Sequence, residues 1–271
     1  MDYSIWVLEY AVITEFAQSS SVYGAHNRGT RPLPFGYAVI KGGGNVVMVD
    51  IGMGDGPMQR QIGDVQHVSG WQPPDTVLAE IGLAPSDVTH AIITHAHYDH
   101  FGNPEAFPNA VFYIEKREVD FWLGQLARPH RLQTFIDPID PGNLTAAYDL
   151  AAQGRLRLLD GRAVILDGIE VRPAYDTHTP GSCYVVVDSG HAGRYVFAGD
   201  LLYSWESLEG LDGDGIIRPP GLVLGSHLVT IDVLEEMLRT VDGEPRRVIP
   251  VHENRLPEQY PSRLSGAGAA V

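Results

Sequence analysis

Apolar positions in this chain gather into short runs of strand character, separated by polar stretches rich in glycine and proline. Ile5–Val12, Tyr37–Ile40 and Asn45–Ile51 are the first three such runs, and they predict a sheet of hairpins. The stretches 18–34 and 52–74 between and after them predict long loops, of a length that commonly marks a lid or a subunit contact. Pro73-Pro74-Asp75 opens a predicted helix over Thr76–Ile81, and a short apolar strand follows at His90–Thr94, then a helix over Lys116–Leu126. In the second half a helix is predicted at Leu144–Gln153 and strands at Leu156–Leu159, Ala163–Leu166 and Ile169–Pro173, with Asp167-Gly168 as a hairpin turn. Cys183–Asp188 and Arg194–Ala198 predict another hairpin. A lid-like stretch then runs to Ser226, followed by a helix over Ile231–Val241 and a strand over Arg247–Val251. Strand blocks broken by helices in both halves predict an α+β or α/β sandwich, with helices outside two packed sheets. No linker-like segment divides the middle, so 1–264 reads as one domain, and the Gly/Ala-rich tail 265–271 is expected to fray.

Composition narrows the partners. The 34 acidic and 19 basic residues give a formal charge of −15, which repels nucleic acid and anionic membrane surfaces at long range. No apolar run approaches the ~18 residues that cross a bilayer. The single cysteine, Cys183, has no partner for an internal disulfide, and Asp2 and Glu9 stand where a signal peptide would be basic, so a cytoplasmic location is expected.

The chemistry concentrates in Thr94-His95-Ala96-His97-Tyr98-Asp99-His100, four potential metal ligands within six residues, directly after an apolar strand. Residues two apart share a side only in an extended chain, so His95, His97 and Asp99 converge if the segment is extended, and the chain must bend at His100. A helical pair of histidines is excluded. Imidazole with carboxylate suits zinc, and four ligands so close together fit two metals sharing the segment better than one tetrahedral ion. Further candidates stand at the ends of later strands: His178, Asp200 after Tyr195–Gly199, and His252 after Val248–Val251.

In order and placement these residues resemble the metallo-β-lactamase superfamily, whose pattern is a His-x-His-x-Asp-His segment, a distant His, a bridging Asp and a final His. The resemblance spans Asp50 to His252 and implies a four-layer αββα sandwich. It implies two zinc ions, one held by His95, His97 and His178, the other by Asp99, His100 and His252, with Asp200 bridging and Asp50 as a buried support. Asp200-Leu201-Leu202-Tyr203 resembles the Asp-x-x-Tyr of the N-acyl homoserine lactonases, in which the tyrosine hydroxyl reaches the substrate carbonyl, and Arg31-Pro32-Leu33-Pro34 resembles their N-terminal region. Thr177, Gly102-Asn103 and Glu253 depart from the lactonase pattern, which touches the substrate rather than the ligands.

The expectation is therefore a di-zinc hydrolase that opens a neutral lactone by attack of metal-bound hydroxide on the carbonyl, with Asp99, Asp200 and Tyr203 as catalytic residues. The alternatives are a glyoxalase-II-like thioesterase or another ester hydrolase of the same fold, and a non-catalytic metal-containing metabolite sensor. Met53, Trp71, Tyr203, Trp205, Leu208, Leu222 and Leu224 are candidate pocket walls. A homodimer through the two N-terminal loops follows by resemblance alone.

Overall fold

In a computed structural model, which describes residues 1–261 and the backbone of 268–270, the strands form two sheets. The larger is built from β1 (Ser4–Ala17), β2 (Thr30–Gly42), β3 (Asn45–Val49), β4 (Val68–Ser69), β5 (His90–Ile93), β6 (Val111–Glu115), β7 (Leu156–Leu159) and β13 (Gly268–Ala270). Its order is β13-β1-β2-β3-β5-β6-β7, with β4 also against β1, and its pairing changes from antiparallel to parallel at β3·β5. The smaller contains β8 (Ala163–Leu166), β9 (Ile169–Pro173), β10 (Cys183–Asp188), β11 (Arg194–Phe197) and β12 (Val248–Ile249), in the order β12-β11-β10-β9-β8. The α-helices are α1 (Gln18–Ser21), α2 (Pro57–Gln66), α3 (Pro74–Ala79), α4 (Lys116–Leu126), α5 (Pro141–Ala152), α6 (Glu206–Glu209), α7 (His227–Thr240) and α8 (Leu256–Gln259).

The period-2 alternation of the strands assigns every layer. In β10, Cys183, Val185 and Val187 face the larger sheet, while Tyr184 and Val186 pack under Leu234 and Met237 of α7. In β3, Val47 and Val49 enter the same inter-sheet core, whereas Met48 faces the helix side with Leu78, Trp122 and Leu150. Two sheets face to face with helices on both outer faces make the αββα sandwich.

Three sequence expectations change. The strand read as Tyr37–Ile40 begins at Thr30, because 30–36 pairs with β1 alone and the missing amide protons of Pro32 and Pro34 are tolerated there. The loop read over 52–74 contains α2, whose buried residues are Gln59, Ile62 and Gly63, while the apolar Met58 and Val65 are exposed. Of the tail expected to fray, Gly268–Ala270 lies antiparallel to Trp6–Leu8 of β1; residues 265–267 and 271 lie outside the described residues.

Both sheets end at one edge. The Cys183 amide donates to Thr94 O (3.0 Å), so the start of β10 is hydrogen-bonded to the residue just beyond β5.

Candidate metal centre

β5 stops at Ile93, and the next residues turn back across the edge of the sandwich. The turn begins earlier than spacing alone suggests: His97 O accepts from the amides of His100 (3.1 Å) and Phe101 (3.0 Å), so the chain is already bent at Asp99. As a result His95 and His97 face one way, and Asp99 pairs with His100 instead. Gly102 makes this turn possible, since a Cβ there would lie 2.4 Å from Tyr98 O and 2.5 Å from Met53 Cα. Tyr10 donates its hydroxyl to Asp99 O at 2.7 Å, tying the turn to β1.

His178 lies between β9 and β10, Asp200 follows β11, and His252 follows β12. The structure gathers all seven predicted ligand residues, each buried, into two groups. In the first, His97 Nδ1 stands 2.9 Å from His95 Nε2 and 3.1 Å from His178 Nε2, and Asp200 Oδ2 lies 3.3 Å from His178 Nε2 and 3.8 Å from His95 Nε2. In the second, Asp99 Oδ2 lies 3.5 Å from His100 Nε2 and 3.8 Å from His252 Nε2. Asp200 Oδ1 reaches this second group, 3.1 Å from His100 Nε2 and 2.9 Å from His252 Nε2. One carboxylate thus faces both groups, one oxygen to each.

The donor set fits divalent metal. Asp200 Oδ1 lies within hydrogen-bond distance of both His100 Nε2 and His252 Nε2, yet none of these three buried atoms makes a hydrogen bond. Buried polar atoms left so are costly, and atoms converging without bonding each other are disposed to bind a common third party. The opposite ring nitrogens are committed elsewhere. His100 Nδ1 is 2.8 Å from Asp50 Oδ2, His252 Nδ1 donates to Pro34 O (2.7 Å), and His178 Nδ1 donates to Leu222 O (3.1 Å). In the neutral ring each bond fixes the tautomer whose Nε2 carries the lone pair. Asp50, buried with φ +61°, accepts in addition from the Thr94 amide (2.7 Å) and hydroxyl (2.9 Å).

Electrostatics distinguish the groups. Burial, then the adjacent imidazoles, holds His95 well below its ordinary value, and burial with His178 brings His97 down to about 3. At His100 burial opposes the proton, but Asp200, Asp99 and Asp50 outweigh it and raise the imidazole well above its ordinary value. His252 is raised in the same way, chiefly by Asp200 against burial. The first group therefore offers neutral nitrogens, and the second lies in a field that draws a cation.

The centre floors a cavity of about 480 Å³. Its apolar walls include Ile13, Phe16, Leu33 and Phe35 from the N-terminal strands, with Phe135 and Leu222–Leu224 from later loops. Among the described residues lining it there is no lysine or arginine. Of the walls expected from sequence, Tyr203, Leu222 and Leu224 line the cavity, whereas Met53, Trp71, Trp205 and Leu208 pack in or against the cores. Burial first, then the Asp200 and Asp99 charges, pushes the Tyr203 phenol well above its ordinary value, so it remains a hydrogen-bond donor. Arg31 pairs with Glu206 and donates to Ser204 Oγ (2.8 Å), holding the segment after Tyr203. Glu253 accepts the Trp205 amide at 2.9 Å and pairs with Arg255.

Sequence reasoning missed Glu118. It is buried in α4 and accepts four hydrogen bonds from around the first group. A lone glutamate after Lys116-Arg117 reads as a solvated helix face; one hint was Trp122 four residues on, on the same side.

Comparison with known proteins agrees with this geometry. The family model of the metallo-beta-lactamase superfamily matches residues 37–252. Metallo-beta-lactamase domain-containing protein 1 of Xenopus laevis is 29% identical over 133 residues, 47% of this chain and 46% of that protein. An N-acyl homoserine lactonase of Bacillus cereus is 24% identical over 134 residues, 49% of this chain and 46% of that protein. The matches thus span less than half the length of these curated relatives. Among solved structures, the dizinc quorum-quenching lactonase AidC, in complex with a product, superposes with a TM-score of 0.66 at 18% identity, covering 99% of this chain and 94% of that one.

Proposed function

Because the chain belongs to the metallo-beta-lactamase superfamily, we propose that it is a di-zinc hydrolase that opens a neutral lactone. The observation that carries this reading is Asp200, whose two carboxylate oxygens face two separate ligand groups at the floor of one apolar cavity. His95, His97 and His178 would hold one ion, Asp99, His100 and His252 the other, and Asp200 both. Zinc, when bound, supplies Lewis acidity toward a carbonyl oxygen and lowers the pKa of water to about 7.

The remaining steps belong to side chains. Tyr203, kept protonated, donates its hydroxyl to the substrate carbonyl as negative charge develops there. Asp200 is committed through both oxygens, whereas Asp99 turns Oδ2 to His100 and His252 and has Oδ1 left to carry a proton to the leaving alkoxide. Phe35 and Phe135 give the cavity apolar surface for the substrate. The absence of a cationic side chain among the described lining residues favours an uncharged substrate over a glutathione thioester, whose carboxylates would enter unpaired.

The test is proton release at constant pH on acyl homoserine lactones, simple γ- and δ-lactones, aryl esters and a glutathione thioester, with zinc-loaded and metal-stripped protein. Zinc-dependent release from lactones is the expected result. Release from the thioester alone would transfer the protein to the thioesterases, and silence throughout from protein holding two zinc ions would overturn the hydrolytic reading.

A further inference from the structure

Beyond the seven ligands, the fully buried carboxylate of Glu118 lies where the two loops of the first group meet. Its Oε1 accepts the Ala96 amide (3.0 Å) and the Trp122 indole N–H (2.6 Å); its Oε2 accepts the Thr179 hydroxyl (2.6 Å) and the Gly181 amide (3.0 Å). Ala96 stands between His95 and His97, and Thr179 follows His178. Every histidine of the first group is therefore at most one residue from a donor to this one side chain. The loops are also pressed onto α4: a Cβ on Gly181 would lie 2.2 Å from the Glu118 amide nitrogen.

Packing alone does not account for this. No ion pair to Glu118 occurs among the described residues, and burying an unpaired carboxylate is costly unless its hydrogen bonds are filled. Four donors fill them, and three come from the ligand-bearing loops. Asp50 holds His100 of the second group directly, and through Thr94, whose hydroxyl stands 3.1 Å from His95 Nδ1, it also touches the first group.

We infer that Glu118 is the positioning residue of the first ligand group, fixing the separation of the His95–His97 loop from the His178 loop and thereby the affinity of that group for its metal. The inference rests on the two-ion reading above. Replacement of Glu118 by glutamine keeps the volume but puts an NH2 group against donors on one side of the carboxyl, so one loop loses its anchor.

Stepwise Co²⁺ titration of the full chain, followed by visible absorption, tests it. His178→Ala and His252→Ala provide reference spectra for a lone second and a lone first group. Glu118→Gln should weaken Co²⁺ binding at the first group by about 10–100-fold, the usual effect of losing a partner behind the ligands. The second group should keep its affinity within about threefold, whereas Asp50→Asn, which loses the direct His100 contact, should weaken the second group more than the first. Equal weakening of both groups, with a lower melting temperature, would reduce Glu118 to a structural residue, and unchanged binding at both would also overturn the inference. A third variant, Glu118→Asp, retains the charge with a shorter reach; wild-type affinity in it would show that charge, rather than position, matters. Failure of the unsubstituted chain to bind two Co²⁺ overturns the two-ion reading itself, and the inference with it.

Discussion

The two ligand groups share Asp200 but are supported by different means. In the second, two imidazoles are held directly: His100 by the Asp50 side chain and His252 by the Pro34 carbonyl of β2. In the first, support reaches the histidines through the backbone around Glu118, and the carbonyl that holds His178 belongs to Leu222, half exposed on the cavity wall. Both groups border the cavity; what differs is the anchor, a strand of the sheet for His252 and a half-exposed loop residue for His178.

The substitution expected to have the largest effect abolishes the distinction. Asp200→Ala removes a ligand from both groups, and metal affinity at each should fall by more than about 100-fold, beyond the usual loss of an outer partner, as measured by metal content after dialysis. Tyr203→Phe should leave both affinities unchanged while lowering kcat about 100-fold, the usual effect of deleting one oxyanion donor, as read from steady-state kinetics on a lactone. Asp50→Asn should cost about 10–100-fold at the second group, where it holds His100 directly, and less at the first, which it reaches only through Thr94, in Co²⁺ titration.

The smallest effect probes the scaffold behind the second group. Glu9 lines a small cleft with Pro34 and Glu253, and burial raises its carboxyl to about 7. The folded state thus holds a proton that the unfolded chain has already released. This contribution to stability is complete below the usual carboxylate range and is lost as pH rises through about 7. Glu9→Gln should therefore show a smaller drop in melting temperature than the unsubstituted protein between about pH 5 and pH 8.

The sequence displayed the centre better than its supports. His95, His97, Asp99 and His100 are legible because they are crowded after one strand, and β3 and β10 are legible as apolar runs, though burial on both faces hides which residues enter the inter-sheet core. The grouping of Asp99 with His100 depended on where the turn begins, which is set by the Gly102 approach to Met53 and Tyr98, a contact between distant segments. The helix Pro57–Gln66 was hidden because Met58 and Val65 point outward while Gln59 is buried beside Ile62, bonding to Gly54 and Gly102. Glu118 was invisible because two of its partners are backbone amides and the Thr179 hydroxyl comes from a loop distant in sequence, none of which marks composition or spacing.

The ligands come from both sheets: four follow β5 in the larger, and His178, Asp200 and His252 flank strands of the smaller. Neither sheet alone can hold an ion at its full coordination. Metal capture thus belongs after the sheets have docked, on the native side of the folding barrier, where interactions slow unfolding without hastening folding. A metal bound there would act as a latch on the assembled sandwich, and its removal should shorten the lifetime of the native state more than it delays its formation.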